Sequence, residues 1–195
     1  MENNFWIVNE LLIFKPEFNE KITNYYDIIN KYKKVIFSDY NDSLITIKTN
    51  NIFKEKYYSY HYNSNFNKEI NLSNNKNLTH LTFGLIFNKK IYLLNNINLT
   101  HLSFEFNFNK KINLLNNINL THLTFECNFN QVNVLSNNIN LTHLSFGKKF
   151  NKKIDLSNNI NLTHLTFGSN FNKEINVSNN INLTYLTFED SFNKK

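Results

Sequence analysis

The sequence predicts a mainly β repeat solenoid: a right-handed coil of 21-residue units, each with one short parallel strand, closed by a small helical N-terminal cap. One observation is a leucine that recurs every 21 residues, at Leu78, Leu99, Leu120, Leu141, Leu162 and Leu183. A second is a phenylalanine at the same interval, each followed by Asn, at Phe66, Phe87, Phe108, Phe129, Phe150, Phe171 and Phe192. Repetition at a fixed period is the sequence signature of stacked architectures.

The strand of each unit is predicted in segments such as "LTHLTF" (78–83). Leu81 and Phe83 are two residues apart and should face the interior, whereas His80 and Thr82 should face outwards. The pattern Leu-x-x-Leu-x-Phe is close to the strand of leucine-rich repeats, so we expect a leucine-rich-repeat-like coil. The columns expected inside the coil are those of Leu78, Leu81, Phe83, Phe87, Ile91, Leu93 and Ile97. Few apolar residues per unit mean that one unit cannot fold alone and becomes ordered only when its neighbours stack on it.

Asparagines are predicted to make the corners and to link the coils. Positive φ angles suit Gly, and Asn tolerates them better than most residues, yet the chain has only three glycines. We therefore expect positive φ at the Asn-Asn pairs, such as Asn95–Asn96. The asparagine after each phenylalanine, Asn88 and its equivalents, should form a ladder that bonds the backbone of the next coil.

Two domains are predicted. Residues 57–195 form the solenoid, with six clear repeats, a degenerate first coil at "YYSYHY" (57–62) and a truncated last coil. Within "FNQVNVL" (129–135), Asn133 falls in an isoleucine column, so we expect the inside–outside alternation to slip there. Residues 1–56 form the N-terminal cap, with a helix at about 17–34 and a strand at about 35–40.

Composition restricts location and chemistry. Cys127 is the one cysteine, so no disulfide can form within the chain. The N-terminus lacks a basic leader, and no apolar run reaches the length of a membrane helix, so we expect a cytoplasmic protein and no membrane partner. No catalytic set interrupts the repeats, so we expect neither enzymatic activity nor a cofactor.

Two periodic columns suggest ligand binding. The histidines His80, His101, His122, His143 and His164 raise a metal hypothesis, but a single file does not converge on one point, so we predict no metal site. Protonating this file should lower stability, and thermal melts at about pH 7.5 and 5.5 would test this. A lysine stripe, including Lys89 and Lys90, could bind RNA, DNA or anionic lipid. Base-reading proteins usually use arginine and exposed aromatic residues, which argues against nucleic acid.

The candidate partner-binding strip combines the histidine column with positions that vary between units. These residues are His80, His101, His122, His143, His164, Glu105, Glu126, Phe106, Lys148 and Lys149. Columns that the architecture leaves free can carry specificity for a partner, although unconstrained drift would look the same. The strip therefore predicts an unknown protein partner. The incomplete last coil also suggests end-to-end self-association.

The repeated "LTHLTFG" and "FNKKI" segments resemble the FNIP repeat proteins, leucine-rich-repeat-like proteins of amoebae and of giant viruses of amoebae. The resemblance covers about residues 57–195. It implies a non-enzymatic interaction scaffold, in the host cytoplasm if the chain is viral. It also implies one alternative, a substrate-recognition subunit of an F-box-type ubiquitin ligase. No F-box is recognisable in residues 1–22. Another alternative, from the lysine stripe, is a binder of anionic polymers.

Overall fold

The computed structural model of the protein describes residues 4–8, 10–37 and 64–194. These residues form a β-solenoid of about seven turns with a spacing of about 21 residues and little helix. Its main sheet has nine strands. The first two, Phe5–Val8 and Leu11–Phe14, are antiparallel, and all other neighbouring strands are parallel. The predicted solenoid of stacked parallel strands is confirmed.

The strands of the main sheet are short. They are β1 (Phe5–Val8), β2 (Leu11–Phe14), β3 (Lys34–Phe37), β5 (His80–Phe83), β7 (His101–Phe104), β8 (His122–Phe125), β9 (His143–Phe146), β10 (His164–Phe167) and β11 (Tyr185–Phe188). A second, two-stranded parallel sheet consists of β4 (Ile70–Asn71) and β6 (Ile91–Tyr92). Within the described residues, helical structure is limited to a 3₁₀ turn at Ile22–Tyr25 and a single α-helical turn, α1, at Tyr26–Ile29.

The strands stack in strict register, so each column of the repeat becomes a column in space. Leu81 pairs with Leu102 and Phe83 with Phe104, and all four side chains are buried. His80 and Thr82 are partly exposed on the outer face. The predicted alternation of the strand residues is therefore confirmed. Their burial supplies the apolar contact that a single unit lacks.

Phenylalanine rings fill the centre of each coil. In one coil, Phe104 and Phe108 are stacked with their ring centroids 3.8 Å apart. Phe104 also stacks on Phe83 of the preceding coil at 5.4 Å, and Phe108 stacks on Phe87 at 5.9 Å. Two continuous files of rings therefore run through the solenoid, which explains why phenylalanine occupies these two columns.

Asparagine side chains connect the coils on two sides. The Oδ1 atom of Asn67 accepts a hydrogen bond from the backbone N–H of Asn88 at 2.9 Å, and the same bond recurs in the following coils. The predicted ladder is therefore confirmed. The second asparagine of each Asn-Asn pair is buried: Asn117 donates through Nδ2 to the carbonyls of Leu93 and Asn96. Each of these carbonyls also accepts a backbone N–H within its own coil, so the amide adds a second hydrogen bond and links one coil to the next.

The predicted positive φ angles at the asparagine corners are wrong. Among the described residues, Glu10 is the one non-glycine residue with positive φ, at 68°, and no described glycine has one. Each corner instead consists of two successive tight turns, in which Asn96 N–H donates to Leu93 and Leu99 N–H donates to Asn96. Such i to i+3 turns form with negative φ. The asparagines are needed for their amide groups and not for their backbone freedom.

The N-terminal segment differs from the predicted cap. The helix predicted at 17–34 is confined to the turns at 22–29, and β2 and β3 continue the main sheet in register. The spacing of Phe18 and Ile22, which suggested a helix, is the spacing of Phe87 and Ile91 in the repeats, and both N-terminal side chains are buried in the same core. The degenerate coil expected at 57–62 lies outside the described residues. The strand that pairs with β5 is β3.

Two further expectations about the columns are wrong. The alternation does not slip at Asn133: this residue stays inside, 8% exposed, and Val132 and Val134 are exposed. The hydrogen-bonded coils on both sides hold the register, so Asn133 stays in the buried column although its neighbours Val132 and Val134 are more apolar. The column of Ile97, expected inside, is about half exposed because it follows the buried asparagine at the corner.

Candidate functional site

The outer face of the main sheet holds the histidine file, defined here as His80, His101, His122, His143 and His164. Adjacent rings are nearly parallel, with centroids 4.1–4.3 Å apart. Lys34 occupies the same position in β3 and Tyr185 in β11, so these residues bound the file at its two ends. The structure therefore brings the five predicted histidines into one continuous row.

Neighbouring threonines anchor the imidazoles. Oγ1 of Thr100 lies 3.0 Å from the carbonyl oxygen of Thr79 and 2.9 Å from Nδ1 of His101. The Thr79 carbonyl also accepts the backbone N–H groups of Thr100 and His101, so the hydroxyl can donate to either neighbour, and both arrangements orient the ring. The same pair of bonds recurs at Thr79, Thr121, Thr142 and Thr163.

The pKa values of three histidines are lowered. Burial, together with the charges of His80, Lys34 and His143, lowers the pKa of His101 to about 4. Burial is also the main cause of the lowered pKa of His122 and of His143. These three central members of the file therefore favour the neutral form of the imidazole.

A glutamate–glycine column follows the carboxyl ends of the strands. Burial, with the charge of Glu126, raises the pKa of Glu105 to about 7, and burial with the charge of Glu189 raises that of Glu126. Glycines in this column pack directly on backbone: a Cβ at Gly168 would lie 2.4 Å from the carbonyl carbon of Gly147. The column thus combines close contact between coils with carboxyl groups whose raised pKa values disfavour ionisation.

The remaining strip residues lie in the turn after the glutamate–glycine column. Phe106 is exposed, 46% of its surface being accessible, and Lys148 and Lys149 are also exposed. The turns are bonded from coil to coil, for example from Lys149 N–H to the carbonyl of Cys127 at 2.8 Å. Phe106 and Lys148 therefore share one column, two coils apart, beyond the outer face of the strands. They flank the histidine file and do not contact it in any bond that the structure shows.

Sequence analysis missed a groove along the other margin of the sheet. It is lined by Lys33 and by the Asn and Thr columns that begin at Asn77 and Thr79. Asn98 donates to the carbonyl of Lys76, and Thr100 to that of Thr79, so the side chains also tie the coils together. The recurring Asn-Leu-Thr spacing was the available signal, because it places both polar groups on one margin in every coil.

The predicted lysine stripe forms an exposed ladder. It comprises the exposed Lys68, Lys89, Lys90, Lys110, Lys111, Lys152, Lys153 and Lys194 and the partly buried Lys173, whereas Lys195 lies outside the described residues. Within residues 64–194 none of these lysines is paired with a carboxylate. Gln131 and Val132 interrupt the ladder in the third coil. The stripe therefore consists of two stretches of uncompensated positive charge.

No group of three or more His, Cys, Asp or Glu side chains in residues 4–8, 10–37 and 64–194 is arranged to hold a metal ion. The short helical turns of the same ranges include none with the length and apolar character needed to cross a membrane.

Comparison with known proteins identifies one structural relative. No family model matches the sequence, and no curated protein matches it. The chain is similar to the crystal structure of CroV588, a giant-virus protein described as a novel circular LRR protein. The TM-score is 0.61 and the sequence identity 31%, over 98% of this chain. The fold is that of a leucine-rich-repeat-like solenoid.

The chain spans a limited part of that relative. The similarity covers 29% of the length of CroV588. Leucine-rich-repeat-like solenoids commonly serve as scaffolds for protein interactions. Stacked repeats suit this role because they present long, regular surfaces.

Proposed function

We propose that the chain is a non-enzymatic scaffold that binds a protein partner through the outer face of its main sheet. The observation that carries this proposal is the histidine file, a row of parallel imidazole rings anchored by neighbouring threonines beside the Thr and Ser side chains of the same strands. A rigid row of aromatic rings loses little conformational entropy on binding. Phe106 and the exposed Lys148 and Lys149 flank this row and would supply specificity.

The test is affinity purification from the native cell, comparing the wild type with a strip variant that retains the fold. Phe106→Ser and Lys148→Ser are suitable changes, because Ser169 occupies the same column in a later coil. A protein that is retained by the wild type, lost with the strip variant and kept by a variant changed at exposed Asn158 would support the proposal. Equal recovery by wild type and strip variant would contradict it.

Binding of an anionic polymer is the second candidate, and the unpaired lysine ladder favours it. Filter binding of heparin and of single-stranded RNA at about 50 and 200 mM salt would test it, because neutralising several phosphates makes affinity fall steeply with salt. Affinity that changes little over this range would exclude an electrostatic polymer site.

Self-association through the last coil is a third element of the proposal. Strand β11 lies at the edge of the sheet, and Leu186 is 40% exposed although Leu165, one coil earlier, is fully buried. A second copy stacked on this edge would cover it. Sedimentation velocity should show a concentration-dependent dimer that Leu186→Lys abolishes, and a monomer at all concentrations would contradict the idea.

Further assignments rest on resemblance. We propose that the chain is a viral or amoebal repeat protein of the FNIP type, and that it acts in the cytoplasm. The F-box alternative receives no support from residues 10–37, because these contribute β2 and β3 to the main sheet. A pull-down of the ligase's linker subunit would test that alternative directly.

A further inference from the structure

A patch of exposed apolar side chains lies on the side of the coil that carries β4 and β6. The back patch is defined here as Tyr92, Leu94, Leu115, Val132 and Val134. Their exposed fractions range from 38% for Leu115 to 60% for Val134. Large apolar side chains exposed together on a protein surface commonly mark an interaction site.

The back patch is confined to three coils and is not a by-product of the repeat. The column of Tyr92 holds Asn71 in the preceding coil and Asp155 further along. The column of Leu94 holds Ser73 and Ser157 at the same places. The architecture therefore accepts polar residues in both columns, and the apolar ones are a local departure.

The third coil carries this departure at a cost to its own stability. Val132 and Val134 are exposed, and Asn133 between them is buried with neither Nδ2 nor Oδ1 hydrogen-bonded. An unpaired buried amide costs about 1–3 kcal/mol. The folded coil would be more stable with the residues of its neighbour, Lys111, Ile112 and Asn113, at these three positions.

Charges beside the back patch define the chemistry of its occupant. Lys89, Lys90, Lys110 and Lys111 are exposed next to it and have no carboxylate partner within residues 64–194. Lys90, Tyr92 and Leu94 occupy alternate positions, with one residue between each pair, so they project from the same side of one coil. Tyr92 donates its hydroxyl at 3.0 Å to the carboxylate of Glu69, which stands in the column of Lys90 and Lys111, one coil before Lys90. Apolar contact in the patch and negative charge over the lysines would complement this surface.

We propose that the back patch docks an acidic segment of a partner protein. The apolar side chains of this segment would lie on Tyr92, Leu94 and the two valines, and its carboxylates would lie over the four lysines. A surface only three coils wide, with charge on one margin, matches the footprint of a protein segment better than a broad lipid surface. This surface is separate from the outer face of the main sheet, so it does not depend on the function proposed above.

The proposal can be tested with synthetic peptides and a matched pair of variants. The probes are a fluorescein-labelled peptide of glutamate and leucine, a second in which serine replaces leucine, and a third in which lysine replaces glutamate. The variant Val132→Lys with Val134→Asn gives the third coil the residues of the second. The control, Ile160→Lys, adds the same charge at a half-exposed isoleucine outside the patch, in a column where Lys76 occurs naturally.

Fluorescence anisotropy should show that the wild type and the control bind the glutamate–leucine peptide, and that the double variant binds it about tenfold more weakly or worse. Because the double variant gains a positive charge, purely electrostatic binding would strengthen instead, and that result would overturn the proposal. Equal binding of the serine peptide would also overturn it. An unchanged melting temperature of the double variant would show that the lost affinity is not due to unfolding.

Two other occupants are separated in the same experiment. Co-sedimentation with phosphatidylserine vesicles that the double variant abolishes, without peptide binding by the wild type, would assign the patch to a membrane and overturn the proposal. A dimer in sedimentation velocity that the double variant dissociates would assign the patch to a second copy and would equally overturn it. Peptide binding by a monomeric wild type that does not bind vesicles supports the proposal.

Discussion

Replacing Asn133 with isoleucine should stabilise the protein. The same column holds Ile91 and Ile112 in the two preceding coils, where both are buried. Asn133 is equally buried at 8% exposure, but its amide forms no hydrogen bond. The change therefore removes an unsatisfied polar group, about 1–3 kcal/mol, and adds apolar burial, about 1.5–3 kcal/mol for a complete side chain.

The net gain will be smaller than the sum, because isoleucine is larger than asparagine and the coil must adjust around it. We expect about 2–4 kcal/mol in the free energy of unfolding. For a chain of this size, that corresponds to a rise of roughly 5–15 °C in melting temperature. The gain should appear as a higher urea midpoint with an unchanged dependence on urea concentration, because the fold and the surface exposed on unfolding stay the same.

The assay is urea denaturation followed by far-UV circular dichroism, with differential scanning calorimetry as a second measure. Asn170→Ile is the matched control: Asn170 is exposed, its side chain makes no hydrogen bond within residues 64–194, and Ile86 occupies the same column, so the change should alter stability by less than about 0.5 kcal/mol. A neutral or destabilising Asn133→Ile would refute the reasoning: the amide would then be satisfied, or the space too small for the isoleucine side chain.

The remaining predictions concern the links between coils and the response to pH. Asn159→Ala removes the donors to the Leu135 and Asn138 carbonyls and should lower the free energy of unfolding by about 2–4 kcal/mol in urea denaturation. The same change at the exposed Asn158 should lower it by less than about 1 kcal/mol, and similar losses would contradict a special role for the buried asparagines. Gly168→Ala forces a Cβ against backbone 2.4 Å away and should destabilise by about 1–3 kcal/mol, so an unchanged melting temperature would count against the packing described here. Because the pKa of Glu105 is raised to about 7, its ionisation disfavours folding increasingly from pH 4.5 to 7; Glu105→Gln should have little effect at pH 4.5 and should stabilise by about 1–3 kcal/mol at pH 8, measured in parallel urea titrations. In that variant, the lowered pKa values of His101, His122 and His143 should make stability fall as pH drops from 6.5 towards 4, because the unfolded chain takes up protons first; thermal melts at pH 7.5 and 5.5 that superimpose would disprove this.

The sequence was most informative where one residue type repeats without exception. Leu81 and Phe83 alternate with outward residues in every unit, and the asparagine after each phenylalanine has no competing role, so the core and the ladder were predictable. Hydrogen bonding by the buried asparagines was not, because the amide of Asn117 binds carbonyls one coil away and the sequence shows only its corner position. The pattern of Asn133 favoured the opposite alternation, and the neighbouring coils overrode it.

The candidate site was predictable in part for the same reason. The histidine file follows directly from the strict spacing of its members, whereas the hydrogen bond that orients each ring, as between Thr100 and His101, depends on side-chain geometry that the spacing does not show. The N-terminal strands were missed because Phe18 and Ile22 satisfy both a helical spacing and the spacing of the repeat. The pairing of β2 and β3 within the main sheet shows that this segment follows the repeat and not a long helix.

The stacking of identical columns has a consequence for how such a molecule changes size. Asn96 binds Asn75 one unit below and is bound by Asn117 one unit above, so each rung presents the same upper and lower surface. Removing or duplicating a complete unit would bring equivalent surfaces together. It would shorten or lengthen the solenoid by one coil and leave the contacts between the other coils unchanged. Loss of a few residues within a unit would instead misplace every rung beyond it, so genes for such proteins can grow or shrink only in whole periods.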